Sequence, residues 1–225
     1  MERLYLVAIF ATLAVVVIIV AAVRAKFRTD VWRQAAADLG LSFPGRDNDL
    51  LERFGHLRML SQGHSRRMTN VLVGDAGEVE INVGDFTYTK GRGKTTQAYR
   101  QTVCILQSQE LNVPHCFLRP DSRRFDSLSE LFSGRDIGFD DDPQFSNAYV
   151  LQGESENAMH ETFGPAVRAW FVEHRGDNLH FEAFGDALMF HNAREVLPEQ
   201  TRGVMQQALE ICNLLRQREG VAAGA

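Results

Sequence analysis

Hydrophobic and polar positions divide this chain sharply near residue 24. Leu4 to Val23 reads LYLVAIFATLAVVVIIVAAV, with no charge, glycine or proline. Twenty residues at a rise of about 1.5 Å make roughly 30 Å of helix, the thickness of a bilayer core. A helix apolar all round exposes its side chains in water, whereas in lipid its backbone is satisfied internally and it can span. Leu4, Phe10, Val16, Ile19 and Val23 mark the length of this predicted anchor. A cleavable signal peptide is the main competitor, because Ala21, Ala22 and Ala25 offer small residues near a cut. The run outlasts the roughly 7–15 residues of a signal h-region, however, and Arg24 follows it at once. The pattern predicts an uncleaved transmembrane anchor over 1–26 and a soluble domain over 27–225.

Beyond the anchor the period alternates between helix and strand. Val31, Trp32, Ala35, Ala36 and Leu39 recur at three- and four-residue steps, predicting a helix over 27–39 that stops at Gly40. From Leu57 the period becomes two. Val71 and Val73 lead to a turn marked by Gly74, Asp75 and Gly77, and Val79, Ile81 and Val83 form the returning arm. The apolar phase then slips to Phe86 and Tyr88, with Gly84 inside the slip, which predicts a β-bulge there. Strands are expected over 99–107, 115–118 and 145–151. Residues 121–145 are polar and turn-rich and mark a possible subdivision, with one short helix through Phe125, Leu128, Leu131 and Phe132. Ser155 to Phe163 and Pro165 to His174 read as helices, and Glu199 to Arg218 as an amphipathic one.

The clearest hairpin is Leu179 to His191, with Gly185-Asp186 as a two-residue turn. That register pairs Phe181 with Phe190 and Ala183 with Leu188 on a buried face. It puts His180 opposite His191 on the other face, expected to be wet, with Glu182 diagonal to His191. Antiparallel strands followed by helix, hairpin and helix predict an α+β fold: one N-terminal transmembrane helix, then a soluble domain of antiparallel sheet with packed helices.

Charge sets the orientation. Arg24, Lys26 and Arg28, with Arg33 behind them, outweigh Arg3, so the positive-inside rule places the domain on the cytoplasmic side of the membrane. The net charge of -5 gives no basic footprint for nucleic acid. Cys104, Cys116 and Cys212 form no disulfide framework and fit a reducing compartment.

Three segments invite chemistry. Lys90-Gly91-Arg92-Gly93-Lys94-Thr95 contains the tail of a phosphate-binding loop, but Tyr88 stands where that loop needs its first glycine. The residues after it alternate like a strand rather than opening a helix, so Lys90, Arg92 and Lys94 are expected to form a basic hairpin tip that meets a partner. Asp136, Asp140, Asp141 and Asp142 lack the order of a calcium-binding loop. His180, Glu182 and His191 could offer two imidazoles and a carboxylate to a metal, but they are read as the wet side of the sheet and no metal site is expected. No cofactor is expected.

The stretch DIGFDDDPQFS from Asp136 to Ser146, the Tyr149–Gly153 strand, and Gln101-Thr102-Val103 after Phe86-Thr87-Tyr88 and the Gly91–Gly93 tip resemble a widespread bacterial family of uncharacterised membrane-anchored proteins. The resemblance implies an envelope location and no catalytic residue. Two functions follow. One is a membrane-tethered, non-enzymatic binding or scaffolding module, with the lipid bilayer and an unidentified protein as partners. The alternative is a membrane-bound, metal-dependent hydrolase using His180 and His191.

Overall fold

In the computed structural model, which describes residues 2–121 and 136–222, the apolar run and the helix predicted after it are a single element, α1 (Glu2–Leu39). Nothing between them breaks a helix: residues 4–39 hold neither glycine nor proline. α1 ends where the left-handed region is needed, at Gly40 with φ +70°. There the N–H of Gly40 bonds the Ala37 carbonyl, and that of Leu41 bonds the Ala36 carbonyl at 2.9 Å, a Schellman closure. The described side chains in the apolar part of α1 are exposed, whereas Trp32 and Ala36 farther along are buried in the domain.

The strands are β1 (Ser42–Arg46), β2 (His64–Ala76), β3 (Val79–Lys90), β4 (Gln97–Gln107), β5 (Val113–Pro120), β6 (Asp136–Ile137), β7 (Tyr149–Gly153), β8 (His180–Gly185) and β9 (Ala187–His191). Among the described residues they form one antiparallel sheet in the order β1-β2-β3-β4-β9-β8-β5-β7-β6. The helices are α2 (Asp49–Arg53), α3 (Arg58–Ser61), α4 (Pro143–Ala148), α5 (Glu156–Thr162), α6 (Pro165–Glu173) and α7 (Thr201–Ala222). The fold is α+β. The helix expected through Phe125, Leu128, Leu131 and Phe132 lies outside the described residues, as does most of the possible subdivision at 121–145.

Both faces of the sheet are buried. On one, Val83, Cys104, Leu118, Phe181 and Phe190 pack under Trp32 of α1, Phe145 of α4, Met159 of α5, Phe171 of α6 and Ala208 and Cys212 of α7. On the other, Phe86, Tyr88, Val103, Ile105, Phe117 and Met189 are covered by Leu50, Phe54, Leu57, Met59 and Leu60, which come from α2, α3 and their connections. The β8–β9 register is as expected, His180↔His191, Phe181↔Phe190 and Ala183↔Leu188. The wet face assigned to the histidines is not wet: it lies beside this second layer, and both rings are essentially inaccessible.

The second layer also explains the phase slip in β3. β3 pairs with β4 in unbroken register from Glu80↔Gln107 to Lys90↔Gln97. Val79, Ile81 and Val83 therefore face one layer, and Phe86 and Tyr88 the other. The strand changes its buried side rather than bulging. A register shift does occur opposite Gly84, in β2 between Thr69 and Leu72, where Asn70 has φ +53°. A Cβ on Gly84 would stand 3.1 Å from a Val71 methyl and 3.2 Å from the Thr69 carbonyl oxygen, so glycine serves close approach there. Two smaller expectations also change. Gly74 and Asp75 are inside β2, which turns at Gly77 and Glu78, and the strand expected over 145–151 begins only at Tyr149, after α4. Pro143 at the first turn and Asp142, whose carboxylate accepts the Phe145 N–H at 3.1 Å, start that helix.

Candidate functional site

A polar network lies where α1 meets the sheet. Period two in β3 puts Asp85 on the same face as Val83, beneath α1, at 2% exposure. Arg28 reaches it with two hydrogen bonds, Nε to Oδ2 and Nη2 to Oδ1, each 2.7 Å. Asp85 also accepts from Asn70 Nδ2 and from the Thr102 hydroxyl, each at 2.8 Å. Thr29 donates to Asn70 Oδ1 at 2.9 Å, and Arg28 Nη2 donates to the Val196 carbonyl at 3.0 Å. The irregularity in β2 brings Asn70 into this network. Burial lowers the pKa of Arg28, but hydrogen bonding to Asp85 and its charge outweigh this and raise it above its ordinary value. α1 is thus fastened to the domain through groups far apart in sequence. Of these residues only Arg28 was singled out from the sequence. The available signal was Asp85 itself, a carboxylate in phase with Val79, Ile81 and Val83.

N-terminal to Arg28, α1 and the sheet leave a groove of about 900 Å³. Val16, Val17, Val20 and Ala21 line it from the helix, and Thr69, Thr87 and Arg100 from β2, β3 and β4, with Arg24 at the junction. Lys90, Arg92 and Lys94 lie at the end of the same β3–β4 hairpin, and Lys94 falls in a 3₁₀ turn, Gly93–Thr95. Arg92 and Lys94 are exposed, as a basic tip requires. Lys90 Nζ lies within 6 Å of the Tyr88 and Tyr99 rings, themselves stacked at 5.0 Å. β4 follows the tip directly, so no long helix presents its N-terminus to a phosphate there.

The histidine face is built differently from a metal site. His180 and His191 stack with centroids 4.8 Å apart and planes 5° from parallel. His191 Nδ1 accepts the Ala193 N–H at 2.9 Å, so its proton sits on Nε2. Burial, and then the charge of Arg119, push the His180 pKa down to about 4; burial, and then His180, push His191 well below the ordinary value. Glu182 does not converge on the pair. It accepts the N–H groups of Arg58 and Met59, at 2.6 and 2.8 Å, and faces His115 Nε2 at 2.9 Å. Its carboxylate thus holds the start of α3 over the sheet. Sequence reasoning missed His115 and this role, which joins residues more than 120 positions apart. Among the described residues no three His, Cys, Asp or Glu side chains gather to hold a metal ion.

The aspartate run is committed elsewhere. Asp141 makes a two-pronged pair with Arg168, 2.8 Å on each arm, Asp142 caps α4, and Asp136 accepts from Gln152 at 2.8 Å. Arg168 in turn lies 4.4 Å above the Phe139 ring. These contacts tie the 136–142 segment to α6 and β7. Cys104, Cys116 and Cys212 are buried.

No protein-family model matches the chain, and no curated protein matches it. Among solved structures it is similar to the crystal structure of the mycobacterial trehalose monomycolate transport factor A, TtfA, with a TM-score of 0.58. The match has 10% identity and covers 85% of this chain and 93% of that one. At such identity the likeness concerns the fold.

Proposed function

We propose that this chain is a membrane-tethered, non-enzymatic accessory module, its sheet domain held against a bilayer by α1. The observation that carries the reading is the helix itself. Its N-terminal part has the length and composition to cross a membrane and, among the described residues, is not buried, while its C-terminal part is fixed in the domain by Trp32, Ala36 and the Arg28–Asp85 pair. A domain so joined keeps a set distance and orientation relative to the bilayer, because no flexible linker intervenes. The likeness in fold to a protein described as a transport factor supports an accessory role in a bacterial envelope. The committed state of Glu182 argues against hydrolysis on the histidine face.

Alkaline carbonate washing of membranes containing the full-length protein tests the tether. The protein is expected to stay in the membrane pellet, and its release into the supernatant would defeat the proposal.

A further inference from the structure

We infer that the groove between α1 and the β3–β4 hairpin receives an anionic phospholipid of the surrounding bilayer, its phosphate at Arg24 and Arg100 and an acyl chain along Val16, Val17 and Val20. The inference rests on the tethered reading above. The groove has unlike walls. One is a stretch of the membrane-crossing helix, continuous with the hydrocarbon region; the other carries the hydroxyls of Thr69 and Thr87 and the guanidinium of Arg100. A groove of about 900 Å³ that joins an apolar wall to a cationic one has the polarity of a single lipid molecule.

The charges favour an anion. Arg28 is consumed by Asp85, and Glu195, the other carboxylate lining the groove, interacts with that same arginine. Arg24 and Arg100 are exposed and make no ion pair among the described residues. Two uncommitted guanidiniums suit a phosphate by charge and by their forked donors. The hairpin also runs the right way. Arg28 sits over Asp85, while the groove joins earlier turns of α1 to Thr87, so β3 advances toward the tip as α1 recedes toward the apolar run. From Thr87 to Lys90 is roughly 10 Å of strand. The tip cations are thereby carried toward headgroup level, beside the lipid in the groove.

Native mass spectrometry of the full-length protein, released from mixed micelles of phosphatidylglycerol and phosphatidylcholine, tests the site. Phosphatidylglycerol is expected to be retained several-fold over phosphatidylcholine. The R24Q/R100Q variant should lose that preference and retain the two lipids about equally, since each arginine near an anionic surface contributes to the attraction. R100K should keep most of it, and R202Q, at an exposed position on α7, all of it. Equal retention of the two lipids, or a preference untouched in R24Q/R100Q, overturns the inference. Carbonate washing separates the two failures: a protein that washes off the membrane defeats the tether, whereas one that stays but shows no lipid preference defeats only this site.

Discussion

The stacked pair His180 and His191 shows how burial changes the chemistry of a residue without giving it a catalytic task. An unfolded histidine takes up its proton as the pH falls through about 6.5. Folded His180 does so only at about 4, and folded His191 resists well below its ordinary value. Between these limits the unfolded state binds more protons, so stability is complete above about pH 6.5 and falls as the solution is acidified toward pH 4. Each histidine should cost roughly 1 kcal/mol of stability per pH unit over that window. Urea melts of the wild type at pH 7 and pH 5 should show the fall, and H180F should reduce its slope, whatever constant cost the substitution adds. A variant with the wild-type slope would mean that the proton is excluded elsewhere.

At the scale of the element, α3 is the instructive case. Four residues cannot sustain a helix in water, where nucleation is unfavourable and each end leaves backbone groups unpaired. α3 persists because Glu182 accepts its first N–H groups and because Met59 and Leu60 are buried against the sheet. E182A removes the acceptor of the Arg58 and Met59 N–H groups, the second of them buried, and takes a carboxylate away from His115. The expected loss is about 3 kcal/mol, within the range for breaking a buried hydrogen-bonded charge. The damage should be local first: hydrogen exchange over 48–62 should quicken in the variant while β3 and β4 remain protected. Uniform acceleration through the sheet would show that the second layer unfolds only with the whole domain. The β8–β9 hairpin differs in kind, since its two-residue turn specifies its register from within the segment.

For the molecule as a whole, the proposed tether gives a measurable property, orientation across the bilayer. Arg24, Lys26 and Arg33 remain on the domain side of the apolar run; Arg28, counted with them, is paired with Asp85. The excess over Arg3 survives, so a C-terminal reporter active only in the cytoplasm is expected to be active, and one that requires export to be silent. Activity of the exported reporter would invert the topology. It would also put the arginine-lined groove at the outer leaflet, where the headgroup chemistry argued above is the same.

Much of this architecture was legible from local pattern. The apolar run, the helix behind it and its stop at Gly40, the β8–β9 register and the terminal amphipathic helix all follow from side chains within a few positions of one another, and period and turn chemistry act at that range. Two of the misreadings share one cause. The expected bulge at Gly84 and the wet face of His180 and His191 both assumed a sheet with one buried side, whereas α2 and α3 cover the other. No period in β3 or β8 announces which distant segment lies over it. Of the site, Arg28 and the tip cations stood out as charges, but Asp85, 57 positions from Arg28, and Glu182, more than 120 from its helix, acquire partners only in the folded chain. Hydrophobic periodicity records whether a position is buried. Tertiary packing decides against what, because a buried charge is stable only where its counter-charge or donors have been brought to it.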